Sequence, residues 1–300
     1  MDSIIYVVGK DDDNRTISGI LKERYSLSRS LLRRIKREGE TLLNGIPVFM
    51  NQRVSEGDML AIKLDFAGQS RIVPDNDLPD IIYEDENILI VNKPAGKLVH
   101  PVGKERLGTL ANSVMGHWLK SGKTNPVFRP VFRIDRDTSG LVLVSGSHLA
   151  HLNLVRQIRE KTMKRTYIAV AEGKVSTPQG VINAPIARRP GSFIEREVSP
   201  TGRSAVTRYR VIEYLPGINA TVLEVNLETG RTHQIRVHMS HLGYPLLGDS
   251  LYGGSCDYIR RQALHSFRLA FFNPLTGAKM EFRCSPPEDM RELVGNISWN

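Results

Sequence analysis

From residue 81 onward the chain is mainly a series of short runs rich in β-branched and aromatic residues, and this feature most limits its possible folds. Polar or glycine-containing segments separate the runs. In order they are IIYEDENILIVNK, GLVLVSGS, RTYIAVAEG, SAVTRYRVIEYLP, NATVLEVNLET and ALHSFRLAFFNPLTGAKMEFRC. Helical periodicity occurs mainly in GSHLAHLNLVRQIREKT and in RTHQIRVHMSHLG, where Thr232 is the expected N-cap and Gly243 the expected stop. The pattern predicts an α+β domain with a mixed or antiparallel sheet.

The remaining bulk features narrow the class of protein. No regular alternation of strands and helices accompanies a glycine-rich phosphate loop, which disfavours the nucleotide-cofactor folds. A length of 300 residues suits a main domain of ~200 residues with an accessory domain. The apolar run in MDSIIYVVGKDDDNR is too short for a signal or membrane segment. We therefore expect a cytoplasmic protein without a membrane partner.

Charge and cysteine content bear on the partner. Lys plus Arg exceed Asp plus Glu by 41 − 32 = 9, and such an excess favours a polyanionic partner because phosphate contacts release counterions. Cys256 and Cys284 are isolated, so neither a disulfide framework nor a thiolate metal site is indicated.

A basic segment, KERYSLSRSLLRRIKR, covers residues 22 to 37. Leu31, Leu32 and Ile35 recur in it at helical spacing. We expect one amphipathic helix, with Ser28 as its N-cap and Gly39 as its stop.

A hairpin is expected after this helix, because Asn44 and Gly45 stand between apolar runs in TLLNGIPV. A turn in VSEGDMLAIKL then leads into another strand. From about residue 15 to 65 this succession resembles the small RNA-binding domain named after ribosomal protein S4. The resemblance implies that the basic side chains of the helix contact RNA, namely Arg29, Arg33, Arg34 and Arg37. A surface helix whose charges only face solvent is the alternative.

The segment FAGQSRIVPDNDLPD, residues 66 to 80, is polar and proline-containing and shows no periodicity. We expect the interdomain linker there. The predicted organisation is an S4-like RNA-binding domain at residues 1–70, a linker at 71–80 and a catalytic domain at 81–300.

Three segments carry the residues suited to chemistry. They are NILIVNKPAGKLVHP (87–101), FRIDRDTSGLVLVS (132–145) and LETGRTHQIRVHMSHLGYPLLGDSLYGG (227–254). In order and spacing they resemble the RluA family of RNA pseudouridine synthases over about residues 81 to 285. The resemblance implies an isomerase that detaches a flipped-out uracil from ribose, turns it and rejoins it through carbon. It also implies an RNA partner, no metal and no organic cofactor.

The resemblance assigns the catalytic carboxylate to Asp135. A carboxylate can serve as nucleophile or as base toward the sugar, and the sequence leaves both open. Such a group needs a nearby cation to stay ionised in a closed pocket. The resemblance supplies Arg236 for this, with Arg231 as the fallback. Tyr167, in MKRTYIAVAEG with Arg165 where Lys is frequent, matches the tyrosine that stacks on the target base.

Other residues of these segments receive subsidiary roles. Arg133, Arg231 and His233 are expected to contact RNA. Asp137 is expected to tie the turn at residues 138–140 rather than to act in catalysis, because a second negative charge would oppose ionisation of Asp135.

The chain departs from the family pattern at Phe132, where His is usual, and at Ile134, where Leu is usual. Substrate placement or loop packing could differ there.

Four other functions are alternatives to a synthase acting on 23S ribosomal RNA. A metal hydrolase using His233, His238 and His241 is disfavoured by their spacing on a helix. A glycoside hydrolase leaves the basic front domain unexplained. A non-catalytic RNA-binding protein that keeps the fold remains open, as does a synthase specific for transfer RNA instead of 23S ribosomal RNA. We expect the protein to act as a monomer.

Overall fold

The computed structural model describes residues 3–25, 27, 29–64, 70 and 72–295. Its N-terminal part forms a four-stranded antiparallel sheet in the order β1-β4-β2-β3 with two helices. The elements are β1 (Ser3–Val7), α1 (Ile17–Glu23), α2 (Arg29–Glu38), β2 (Glu40–Leu43), β3 (Ile46–Pro47) and β4 (Met59–Lys63).

The β2–β3 hairpin turns where the sequence predicts it. Asn44 and Gly45 have φ values of 52° and 80°, the left-handed conformation that a two-residue hairpin turn requires at both positions. The Asn44 side chain is fixed by Asp58, to which its Nδ2 donates at 2.8 Å. The predicted strand after the second turn is β4.

The predicted helix between the cap position 28 and the stop Gly39 corresponds to α2, whereas the first residues of the basic segment 22–37 belong to a separate helix, α1. Two helices share this segment, because α1 ends at Glu23 and α2 begins at Arg29. Between them Leu27 is buried in the N-terminal core and its N–H donates to Leu21 O at 3.2 Å.

Residues next to the ends of α1 and α2 form hydrogen bonds that cap these helices. Thr16 caps α1 by accepting from Gly19 N at 3.2 Å, whereas the predicted N-cap Ser28 lies outside the described residues. Gly39 follows the last residue of α2 as predicted, and its N–H donates to Ile35 O at 2.8 Å.

The remainder of the chain is built on a ten-stranded sheet with helices and one separate two-stranded hairpin. The elements are β5 (Asp80–Glu84), β6 (Ile88–Lys93), α3 (Leu110–Lys120), β7 (Arg129–Pro130), β8 (Ser139–Ser145), α4 (His148–Arg159), β9 (Lys164–Glu172), β10 (Gln179–Asn183), β11 (Ile186–Arg188), β12 (Arg196–Val198), β13 (Val206–Leu215), β14 (Ala220–Leu227), α5 (Gln234–His241), β15 (Leu264–Phe272), β16 (Lys279–Arg283) and α6 (Glu288–Val294).

The strand order is β10-β13-β14-β9-β15-β8-β6-β5, with β16 paired to β15 and β7 paired to β8. Strands β8 and β15 run parallel, and the other described pairs are antiparallel. The predicted mixed sheet is therefore confirmed. The sequence prediction omitted α3, whose Thr109 and Asn112 form a capping box, and the hairpin of β11 and β12.

Gly140 allows the parallel strands to meet beside the loop that precedes β8. A Cβ at this position would lie 2.3 Å from Ser266 O on β15, and its φ is 105°. Only glycine fits both conditions. This close approach fixes the start of β8 and thereby the loop at residues 131–138.

The predicted linker is only partly described, because residues 66–69 and 71 lie outside the described residues. Its later part packs on α3. Asn112 Nδ2 donates to Val73 O at 2.6 Å, and Asp75 N donates to Asn112 O at 3.1 Å. The N-terminal part has a hydrophobic core of its own, against which Leu149 and Leu152 of α4 also pack.

None of the helices in the described part of the chain is both long and apolar enough to cross a membrane.

Candidate active site

An open cleft of about 1230 Å³ lies beside β9, a central strand of the ten-stranded sheet. The β7–β8 loop, β9, the β14–α5 loop and the segment after α5 all contribute side chains to it. Ten of the described lining residues are Lys or Arg and five are Asp or Glu. A lining of this composition favours an anionic ligand.

Asp135 and Arg236 meet in this cleft. Arg236 Nη1 donates to Asp135 Oδ2 at 3.3 Å, and the same guanidinium binds Asp249 through two bonds of 2.7 Å from Nε and Nη2. Asp249 is buried, while the Asp135 side chain keeps 24% of its exposure. The fallback Arg231 instead donates through Nε to Ser204 O at 3.0 Å. Arg236 is thus the cation placed beside Asp135.

The guanidinium of Arg236 stays protonated despite its burial. Burial by itself would lower the pKa of the guanidinium, but the hydrogen bonds and charge of Asp249, followed by those of Asp135, raise the pKa above its usual value. Asp249 also orients the planar group, because the bidentate pair fixes its angle. Asp249 was not among the predicted site residues, although it stands in the string LLGDSLYGG of the third motif segment.

The start of α5 differs from the prediction. Thr232 is exposed and does not cap the helix; the N-cap is His233 at φ 58°. Gln234 holds this corner instead. Its Oε1 accepts from Arg231 N at 2.9 Å and from Thr229 Oγ1 at 2.8 Å. Gln234 thus holds the start of the helix in place of the expected Thr232. At the other end Gly243 follows the helix as predicted, with φ 84°.

His233 lies between the catalytic carboxylate candidate and a tyrosine. Its Nε2 is 4.0 Å from Asp135 Oδ1, and its Nδ1 is 2.8 Å from the Tyr252 hydroxyl. That hydroxyl accepts from Arg196 N at 2.9 Å, so its own proton is available to Nδ1. Burial lowers the pKa of His233, which favours the neutral ring at pH 7.

Tyr167 faces the same cleft from β9. It is 4% exposed. Burial, with a further contribution from the Asp135 charge, raises the pKa of its phenol above the usual value. The side chain therefore offers a neutral aromatic ring next to the carboxylate, as stacking on a base requires.

The predicted RNA contacts fall into two places. Arg133 and Arg231 line the cleft, and Arg133 is exposed. The arginines of α2 lie outside the described lining of the cleft and belong to the N-terminal part. The structure thus brings together only Arg133, Arg231 and His233 of the predicted set.

Asp137 does not tie the turn as predicted. In the described part of the chain its carboxylate makes no hydrogen bond to residues 138–140; Thr138 N donates to Asp135 O at 3.2 Å instead. The charge of Asp137 acts on Lys93, a buried residue that the sequence analysis overlooked. The available signal in the sequence was its position directly before Pro94 in NKPAG, within the segment 87–101 that the motifs had already selected.

Lys93 is hydrogen-bonded to the loop that carries Asp135. Its Nζ donates to Pro94 O and to Arg136 O, each at 2.7 Å. Burial lowers the pKa of its ammonium group to about 7, although the charges of Asp137 and Asp135 oppose this shift. The bond to Arg136 O holds the residue immediately after Asp135.

Two of the three histidines considered as metal ligands, His233 and His238, are hydrogen-bonded to other groups. His238 is buried, with Nδ1 2.8 Å from Thr207 Oγ1 and Nε2 2.9 Å from Ala184 O. Within the described ranges, no group of three or more His, Cys, Asp or Glu side chains could hold a metal ion.

Chemically, the cleft combines a partly exposed carboxylate, an oriented guanidinium, a neutral imidazole and a neutral aromatic ring. Such a set can attack or deprotonate a sugar while a flat base rests on the ring. The cationic rim suits a polyanion.

Comparison with known proteins identifies similar chains. The family model described as RNA pseudouridylate synthase matches residues 87–241. The uncharacterized RNA pseudouridine synthase YhcT of Bacillus subtilis strain 168 is 39% identical over 287 residues, covering 96% of this chain and 95% of the relative. The ribosomal large subunit pseudouridine synthase D of Escherichia coli K12 is 36% identical over 283 residues, covering 89% and 85%.

A solved structure is also similar. Human RNA pseudouridylate synthase domain containing 1 superposes with a TM-score of 0.58 and 25% identity, covering 72% of this chain and 86% of the human chain. The residues matched by the family model include the Asp135 loop and Arg236.

Proposed function

Because the chain belongs to the RNA pseudouridylate synthase family and is an isomerase acting on RNA, we propose that Asp135 acts on a flipped-out uridine of 23S ribosomal RNA. The observation that carries this proposal is the contact of Asp135 with Arg236 inside the cationic cleft. A carboxylate beside an oriented cation, open on one side to a ligand, is the group the reaction needs.

The proposed reaction breaks the bond between ribose C1′ and uracil N1 and forms a bond from C1′ to C5. The proton on C5 is lost and N1 gains a proton, so no atom is added overall. Asp135 serves either as the nucleophile at C1′ or as the base toward the sugar. Tyr167 supports the detached uracil by stacking, which keeps it in place while it turns. Arg236 keeps the carboxylate paired and oriented.

Ribosomal RNA is the preferred substrate class because of the relatives. The Escherichia coli protein that covers 89% of this chain bears the name ribosomal large subunit pseudouridine synthase D, and relatives of the same name in other bacteria match comparably. Transfer RNA is the alternative. With either RNA as substrate, the proposed enzyme acts as a monomer in the cytoplasm, where both RNAs occur.

The N-terminal part supports RNA binding in this proposal. We assign residues 1–70 to an S4-like RNA-binding domain, 71–80 to a linker and 81–300 to the catalytic domain. The supports are a separate core among residues 4–64 and the exposed arginines of α2, namely Arg29, Arg33 and Arg37. Arg34 on the same helix completes the proposed phosphate-contacting set.

Tritium release from transcribed 23S ribosomal RNA labelled at C5 of uridine tests the activity. Wild-type protein should release tritium without added metal or cofactor. Asp135→Asn should abolish release while RNA affinity stays within a few-fold, because the change is isosteric and removes one charge. Asp137→Asn is the matched control and should keep at least about a tenth of the turnover.

Two results would overturn the proposal. Substantial release by Asp135→Asn would remove Asp135 from the chemistry. No release by wild-type protein from ribosomal or transfer RNA would favour the non-catalytic RNA-binding alternative. Mapping pseudouridines in RNA from cells with and without the gene would then identify the substrate and the uridine.

A further inference from the structure

Arg165 is a buried cation in the cleft that the proposed chemistry does not use. It precedes Tyr167 by two residues on β9, so both side chains lie on one face of the strand. Its exposure is 5%, and it belongs to the lining of the cleft.

The hydrogen bonding of Arg165 is incomplete. Nη2 donates to Thr229 O at 3.3 Å, and Nε is buried without a hydrogen-bond partner. For Nη1, no partner exists among the described residues. The guanidinium therefore has one long bond to a neutral carbonyl, although it can donate five.

The charge of Arg165 also lacks a counter-ion. No carboxylate of the described chain lies within ion-pair distance of it. Two carboxylates that line the cleft are engaged elsewhere: Asp135 is paired with Arg236, and Glu228 with Lys161 and Arg208. Burying an unpaired cation is costly, so buried charges are normally paired.

Phe132 and Gly230 shape the surroundings of this cation. The Arg165 Cζ lies 5.5 Å from the centre of the Phe132 ring, a cation–π arrangement that leaves the edge of the guanidinium free for hydrogen bonds. A Cβ on Gly230 would lie 3.0 Å from Nη1. The glycine therefore leaves open the side from which a ligand would approach Nη1. Phe132 is also the position where the chain departs from the usual His.

We propose that Arg165 binds a backbone phosphate of the RNA directly adjacent to the flipped uridine. Uracil and ribose are neutral, so the phosphate is the part of the substrate that supplies the missing negative charge. A guanidinium edge matches two phosphate oxygens in a bidentate way. This inference rests on the proposed function, because the ligand of the cleft must be RNA.

The first experiment compares Arg165→Met with Arg165→Lys and with Arg210→Met, a matched loss of an exposed arginine on strand β13. Each change is made in the Asp135→Asn protein, so that affinity for transcribed 23S ribosomal RNA is read without turnover. Arg165→Met should weaken binding about 10- to 100-fold and flatten the slope of log affinity against log salt by roughly 0.7 to 0.9. Arg165→Lys should recover part of the loss, and Arg210→Met should show neither effect.

Thermal unfolding without RNA separates binding from structure. Since Arg165 is an uncompensated buried charge, Arg165→Met should unfold at the same or a higher temperature than the parent. A lower unfolding temperature with unchanged RNA affinity and salt slope would overturn the inference and make Arg165 a structural residue.

A measurement on unaltered protein covers the case in which the variants fold poorly. RNAs carrying one methylphosphonate, a neutral replacement, at each linkage flanking the mapped uridine are compared for binding. Affinity should fall at least tenfold at one flanking linkage. No fall at either linkage would contradict the phosphate contact, while tritium release by wild-type protein would still support the proposed function.

Discussion

The arginines of α2 and Arg236 of the cleft have opposite surroundings. Arg34 and Arg37 both pair with Glu38 at the surface, and Arg33 is exposed. Arg236 in contrast is 6% exposed and is held by Asp249 and Asp135. Exposed pairs contribute little to stability and are screened by salt, whereas removal of one partner of a buried pair is costly. Surface cations suit affinity and buried cations suit fixed geometry.

Lys93 represents a third situation in the same molecule. It is fully buried, yet it bonds only to backbone carbonyls. Its pKa of about 7 shows how strongly burial opposes a charge when no carboxylate contacts it directly. RNA binding by the exposed arginines of α2 should depend on salt. Catalysis should depend on the geometry of Arg236, and stability should depend on pH through Lys93.

The largest effect is expected for Asp249→Asn. Without the bidentate partner, Arg236 loses its fixed orientation beside Asp135, and misplacement of this order costs about 100-fold in rate. Single-turnover isomerisation should fall by that factor or more, while RNA affinity changes by a few-fold at most. The free energy of unfolding should fall by about 3 kcal/mol.

Asp289→Asn is the control for that change. Asp289 also forms a bidentate pair, with Arg261, but its side chain is 44% exposed. Its loss should cost at most about 1 kcal/mol. Equal effects of both variants on rate and stability would remove the distinction between buried and exposed pairs.

Lys93→Met should change how stability depends on pH. The folded pKa of about 7 is below the ordinary value of 10.5, so between these values the unfolded chain binds a proton that the folded chain releases. Wild-type stability should therefore rise with pH in that window relative to the variant, with a slope approaching about 1.4 kcal/mol per pH unit. Urea unfolding at a series of pH values measures the difference.

Below pH 7 both folded and unfolded wild-type lysines are protonated, so the difference between wild type and variant should level off. Lys120→Met, at an exposed position on α3, is the control and should show no such trend. A flat difference between pH 7 and pH 10 would mean that Lys93 keeps its proton in the folded protein.

The smallest effect on chemistry is expected from replacing Arg33, Arg34 and Arg37 of α2 with Gln. Binding of transcribed 23S ribosomal RNA should weaken, and the salt slope should flatten by roughly 0.7 to 0.9 for each lost phosphate contact. Single-turnover rates at saturating RNA should stay near wild type, because the helix lies outside the cleft.

A matched triple variant holds net charge constant. Replacing Arg210, Arg268 and Arg283 with Gln removes three charges from the partly exposed strands β13, β15 and β16, so both variants carry 9 − 3 = +6. If both lose affinity equally, α2 contributes only through overall charge and its role as a specific RNA contact is refuted.

Much of the fold was predictable because its signals are local. Asn44-Gly45 specifies a hairpin through the positive φ of both residues, and the alternating apolar runs became β8, β9, β13 and β14. The start of α2 at Arg29 likewise follows the predicted cap position 28, whereas the separate helix α1, which takes up residues 22 and 23 of the basic segment, was not predicted.

The sequence by itself determined the composition of the site: the resemblance of its motifs selected Asp135, Tyr167 and Arg236, which the structure places in one cleft. Only the tertiary structure identified Asp249 as the holder of Arg236 and revealed that Lys93 and Arg165 are buried. The physical reason is that pairing and desolvation depend on residues distant along the chain. The sequence cannot distinguish Arg236, which a carboxylate 13 residues away binds, from Arg165, which no carboxylate of the described chain binds.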